Sequence, residues 1–291
     1  QKLEEELMIE VYSYISENLT SVDILPESYY FKPKSIKEIL DNKRGNYLDK
    51  NYLFLRAITH AQGFSGGLLF ISPFYEGYCE DSIINLNQFY LPICYIKTPS
   101  GKEFYIDAYS DRLTWGTVQD YYFGNPGVLV QKNGMQKIDL KLPDSDLNLT
   151  ETKINVKLKK NGDGEVTLKT IFHGVDSEYI REFKEVTNVE IELYFNELIS
   201  EIARNATLVS YDLFNLDNLL DSPGYEIKFI INNLVKNKSG LYLFSIPGLN
   251  YSAYEVGVPE RLYPLFWSSM EKQEKTITIE FEPGFKVKYI P

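Results

Sequence analysis

Between residues 47 and 62 the apolar side chains fall on two helical stripes instead of one. Leu48, Tyr52, Leu55 and Thr59 make the first, and Phe54, Ile58 and Ala61 make the second. A helix that is apolar on more than one face has to be enclosed by other elements. The chain must therefore build a layer around a central helix, which Gly63 stops. Residues 67–72 then read as a short apolar strand and 73–87 as a long loop. Residues 89–97 and 103–108 read as a hairpin about Thr98-Pro99-Ser100-Gly101, with a further strand at 128–131.

Upstream, Met8, Val11, Tyr12 and Ile15 recur at helical spacing behind Glu4, Glu5 and Glu6, which suit the positive end of a helix dipole. Ser35 and Glu38 have capping-box spacing and open a short helix that ends near Lys43-Arg44-Gly45, with the glycine as its C-terminal cap. The character changes near Leu142-Pro143-Asp144-Ser145. Beyond it, 152–158 and 165–172 alternate strongly about the turn Asn161-Gly162-Asp163-Gly164. Residues 176–183 and 189–203 read as helices, and 225–231, 240–246, 276–281 and 286–290 as strands. The expected fold class is α+β. A central helix packed on an antiparallel sheet fills residues 1–143, and a β-sandwich-like domain with a helical insertion fills 144–291.

Composition excludes several functions. A net charge of −11 leaves no broad basic surface for phosphates, so no nucleic acid partner is expected. Two cysteines, Cys79 and Cys94, cannot make a disulfide framework. With two histidines, His60 and His173, they supply no zinc-type cluster, and no metal or other cofactor is expected. The turn at 161–164 has the start of a calcium loop but lacks the later ligands, and reads as a turn. No run of eighteen apolar residues provides a transmembrane segment. The chain opens in a charged segment with no signal peptide, and reads as part of a longer polypeptide.

The order of elements around Lys43-Arg44-Gly45-Asn46-Tyr47-Leu48-Asp49-Lys50, running on through Leu55-Arg56-Ala57 to Gly63, resembles the core of bacterial transglutaminase-like domains, a papain-related fold. In that family a glycine, an acidic residue and a nucleophilic cysteine open the central helix. A cysteine there faces unpaired amides and the helix dipole, which favour thiolate. A histidine and an aspartate follow from the hairpin, as base and orienting group. By this resemblance Gly45 is kept, Asn46 replaces the acid and Tyr47 stands at the cysteine position. Leu91 or Pro92 stands at the histidine position, and Asp107 keeps the aspartate. A phenol with a pKa near 10 is no acyl-transfer nucleophile. The resemblance thus implies a catalytically degenerate domain in which Asp107 bonds a strand-end amide or the Tyr47 hydroxyl. The second half resembles the β-rich domain that often follows this core, through the hairpin at 161–164, Gly174, Tyr179, Arg181, Arg261-Leu262-Tyr263-Pro264-Leu265 and Glu282-Pro283-Gly284-Phe285-Lys286-Val287. The family context implies a periplasmic or extracellular location.

Other groups read more simply as structure. Cys94 and Cys79 are candidates for a relocated nucleophile, against a buried core thiol and a loop thiol. His60 reads as packed or capping, and Glu80-Asp81 and the pair Asp107 and Asp111 are carboxylates near each other in sequence only. Tyr75, Tyr78, Trp115, Tyr121 and Tyr122 cluster in loop-like segments, and exposed aromatics suit stacking on sugars or clamping peptides. Three functions follow: a non-catalytic binding or scaffolding module for a peptide, glycan or protein; a cysteine-dependent acyl transferase or protease; and a purely structural module.

Overall fold

The computed structural model describes residues 2–23, 32–77, 79, 88–140, 147–249, 271–284 and 286–289. Among them, those up to Asn148 form one compact unit and those from Leu149 onward form another. The expected boundary at Asp144 lies in 141–146, outside the described residues. Both units mix helices and strands, so the fold is α+β.

In the first unit, α1 (Lys2–Asn18) buries Met8, Tyr12 and Ile15 on one stripe. Strand β1 (Thr20–Ser21) pairs in parallel with β2 (Arg44–Gly45). Between them, α2 (Ile36–Asn42) starts on Ser35, whose hydroxyl accepts from the Glu38 amide. The helix does not end on Gly45. Lys43 is its C-terminal cap, in the left-handed region at φ 49°. Gly45 is needed for room instead: a Cβ there would sit 3.0 Å from Asp49 Cβ and 3.1 Å from Lys50 Cγ. The central helix α3 (Tyr47–Thr59) stops one turn earlier than its apolar pattern.

Helix α3 packs on the sheet formed by β3 (Ser65–Ile71), β4 (Leu91–Lys97), β5 (Glu103–Ile106), β6 (Pro126–Gln131) and β7 (Gly134–Asp139). The order is β5-β4-β3-β6-β7, antiparallel throughout. The expected long loop contains a 3-10 turn at Phe74–Glu76, and most of its remainder lies outside the described residues. Gly66 fits where a Cβ would meet the Tyr95 carbonyl at 2.3 Å, so β4 approaches β3 closely at that point.

The second unit holds β8 (Leu149–Leu158), β9 (Gly164–Phe172), α4 (Asp176–Arg181), α5 (Asn188–Ile202), β10 (Ala206–Phe214), β11 (Gly224–Ile231), a small hairpin of β12 (Lys236–Lys238) and β13 (Leu241–Leu243), and β14 (Lys272–Phe281). The large sheet runs β10-β11-β9-β8-β14, with β14 parallel to β8. One face of it, Ile154, Val156, Val166, Leu168, Ile227 and Phe229, packs against Ile180 of α4 and Ile191, Phe195 and Ile199 of α5. Lys153, Asn155, Lys157 and Lys228 point the other way and are exposed. The expected sandwich is therefore replaced, among the described residues, by a sheet with helices on one face. Alternation alone identifies a half-buried strand and does not say whether a sheet or a helix covers it. Residues 286–289 form no strand, and Ile290 lies outside the described residues. At the 161–164 turn, Asp163 accepts from the Asn233 amide at 2.8 Å and from the Asn161 side chain, so its carboxylate is spent on the loop.

Candidate functional site

Asn46 is the N-cap of α3. Its side chain accepts from the Asp49 amide at 2.9 Å, and the Asp49 carboxylate returns to the Asn46 amide. Asp49 also accepts from the Lys34 amide at 2.8 Å and pairs with the Lys34 ammonium at 3.2 Å. The positive end of the helix thus already holds a buried carboxylate. Tyr47 occupies the first helical position, and its ring stacks on Tyr109 with centroids 3.5 Å apart.

One turn further along, Asn51 is fully buried and ties this region together. Its Nδ2 donates to the Tyr47 carbonyl at 3.0 Å, the Pro92 carbonyl at 3.0 Å and Asp107 Oδ1 at 3.2 Å. Its Oδ1 accepts from the Ala108 amide at 2.9 Å. A single amide therefore touches the residues at the expected nucleophile and aspartate positions, and one of the two candidates for the histidine position. The other, Leu91, is buried in the core beside Ile71 and Ile93.

Asp107 follows the end of β5 and is buried. Its Oδ1 accepts from the Tyr109 amide and its Oδ2 from the Tyr122 hydroxyl, both at 2.9 Å. The strand-end amide expected as a partner is found, and the Tyr122 hydroxyl is a further donor. Burial raises the Asp107 carboxyl above its ordinary value, against the pull of these donors and of Lys50. Burial and the adjacent Asp107 together push the Tyr122 phenol well up. Cys94 Sγ donates to the Asn51 carbonyl at 3.0 Å, is fully buried, and is held well above the ordinary thiol range by burial and by Asp107. Such a thiol is structural, since nucleophilic attack needs thiolate and access.

Lys50 is the neighbouring buried cation. Its Nζ donates to Ser21 Oγ at 2.8 Å, the Tyr109 carbonyl at 2.9 Å and the Leu19 carbonyl at 3.3 Å. Burial lowers its pKa to about 8, while Asp111 and Asp107 oppose the shift. The three acceptors fix an ammonium between α1, β1 and the segment after β5.

The aromatic candidates separate. Tyr75 is exposed, its ring edge-on to Tyr121 at 5.6 Å and its hydroxyl 3.4 Å from that of Tyr90. Tyr121 lies edge-on to Tyr122 at 4.8 Å. Tyr122 itself is fully buried and presents no surface to a ligand. Trp115 packs edge-on to Tyr12 and donates to Glu5, whereas Tyr78 lies outside the described residues. Tyr47, Tyr90 and Tyr109 are half-buried members of the same tyrosine-rich region, which composition alone had not placed there. Cys79, whose amide donates to Asn125, and Cys94 form no disulfide. His60 caps the C-terminus of α3 and is exposed. Glu80 and Asp81 lie outside the described residues, and Asp111 is exposed. Among the described residues no three His, Cys, Asp or Glu side chains are grouped to hold a metal ion.

Asn51 and Lys50 escaped the sequence reading because polar residues on a helix are read as its wet face. The only available signal was their position beside the degenerate Tyr47. Comparison with known families, with curated proteins and with solved structures finds no match to this chain.

Proposed function

We propose that the first unit is a transglutaminase-like, papain-type domain that has lost acyl transfer and serves as a binding module. The observation that carries this reading is the convergence on Asn51. The backbone carbonyls of Tyr47, at the expected nucleophile position, and of Pro92, one of the two candidates with Leu91 for the base position, and the carboxylate of Asp107 all lie within hydrogen-bond reach of one buried amide. A central helix that presents its N-terminus to one end of an antiparallel sheet is what such a domain requires. The reading that acyl transfer is lost rests on the tyrosine ring that stands at the family's thiolate position and on Leu91 or Pro92 at its histidine position.

Tyr47, Tyr75, Tyr90, Tyr109 and Tyr121 form partly exposed aromatic surface around the filled site. Flat rings carrying hydroxyls suit a peptide backbone or a sugar face. The ligand class is therefore a peptide, glycan or protein segment, and a periplasmic or extracellular location goes with the proposed transglutaminase-like family.

Arrays of short peptides and oligosaccharides, followed by calorimetry on the hits, test the reading. Tyr75→Ala and Tyr121→Ala should each weaken a true ligand by about tenfold, the loss of one stacking contact. If no array member binds, or if both variants bind as tightly as the parent, the unit is structural and the proposal fails.

A further inference from the structure

We infer that the second unit carries a serine nucleophile, Ser222, activated by His173 and Glu151, with esters of short acyl chains as the substrate class. The three side chains come from separate places that the sheet brings to one end. Glu151 lies near the start of β8, His173 follows the end of β9, and Ser222 precedes β11. Ser222 Oγ is 2.7 Å from His173 Nδ1, and His173 Nε2 is 3.1 Å from Glu151 Oε1. Hydroxyl, imidazole and carboxylate thus stand in line at hydrogen-bonding distances, the arrangement by which nucleophile, base and orienting group are recognised. The carboxylate accepts from Nε2–H and so leaves Nδ1 as the acceptor for the hydroxyl proton.

The serine is also held in place. Arg181 is fully buried, and its guanidinium donates to the Asn218 and Asp221 carbonyls at 2.7 and 2.8 Å, directly ahead of Ser222. Asn215 donates to the Ser222 carbonyl at 3.1 Å. A nucleophile needs a backbone fixed from a rigid frame, and here a buried cation supplies it. Glu151 and His173 are about one-third exposed, at 31% and 32%, so the chain of groups is desolvated in part yet reachable. Leu220 is exposed on the same loop and offers apolar surface to a short acyl chain.

In the reaction, Ser222 Oγ attacks the ester carbonyl carbon while its proton passes to His173 Nδ1. Collapse of the tetrahedral adduct breaks the bond to the alcohol oxygen, which leaves with that proton. Water then attacks the acyl-serine, again losing its proton to Nδ1. The carboxylic acid departs and the hydroxyl of Ser222 is restored. Glu151 accepts from Nε2–H throughout and does not exchange a proton.

A fluorophosphonate probe applied to the intact chain, with peptide mass spectrometry, tests this without any variant. One phosphonyl adduct on Ser222 is expected, and its absence from folded protein after long incubation overturns the proposal. In His173→Gln the labelling rate should fall about 100-fold, the usual worth of a positioned general base. Hydrolysis of p-nitrophenyl acetate should exceed that of Ser222→Ala by about tenfold or more. A folded His173→Gln that labels as fast as the parent, or equal ester hydrolysis in the parent and Ser222→Ala, would reduce the three groups to a strut that closes the loop.

Discussion

Asn51 and Lys50 are adjacent buried polar side chains with opposite energetic roles. Asn51 satisfies its neighbours: it donates to Tyr47, Pro92 and Asp107 and accepts from Ala108. Asn51→Leu takes the acceptor from the buried Ala108 amide and a donor from the Pro92 carbonyl and from Asp107, each loss worth about 1–3 kcal/mol. We expect a loss of about 3 kcal/mol or more in urea unfolding. A loss below about 1 kcal/mol would mean that the network is expendable. Lys50, by contrast, costs stability as a buried charge. Its pKa is about 8 in the fold against 10.5 ordinarily. Between those values the unfolded chain holds a proton that the native chain has released, so raising pH favours the native state. The unfolding free energy of the parent, relative to Lys50→Met, should therefore rise between pH 8 and 10.5, by at most about 1.4 kcal/mol per pH unit. A flat difference across that range would show that Lys50 titrates normally. Neither role could be read from the sequence. Periodicity assigns polar residues to the wet face of a helix, and only the packing shows these two on the inner one.

Helix α3 owes its start to the reciprocal bonds between Asn46 and Asp49. Asn46→Ala removes the acceptor for the Asp49 amide and should cost about 1–2 kcal/mol, at the upper end for a cap because the site is buried. Amide exchange should accelerate first over residues 47–50, and faster exchange near residue 59 alone would contradict the role. Strong elements such as α3, α5 and the β8–β9 hairpin were readable because their apolar periods are unbroken. Two of the strands that were missed show different reasons. β7 is an edge strand with mostly polar residues, so it carries no apolar alternation. β10 has a register shift between Leu208 and Ser210, which changes its parity midway. Asp107 was singled out by the family resemblance, on the hairpin strand read as 103–108, whereas Glu151, His173 and Ser222 are brought together only by the sheet.

Across the molecule, buried phenols set the response to alkali. Tyr122 in one unit and Tyr194 and Tyr225 in the other are raised above the ordinary phenol value, with burial the largest cause in each. A raised folded value means that their contribution is complete below about pH 10 and is lost as pH climbs beyond it, because the unfolded phenols ionise first. These three phenols should therefore resist ionisation until the protein unfolds, so that the last part of the ultraviolet phenolate absorbance appears together with the loss of circular dichroism. Complete phenolate formation with unchanged dichroism would refute this.

The parallel pairing of β14 with β8 joins segments more than one hundred residues apart. Local turns can assemble the neighbouring strands early, but this last seam must wait until the ribosome has released the far strand. Until then β8 presents a bare row of amides and carbonyls, so a nascent or shortened chain ending before residue 272 is the form most prone to stick to its own kind.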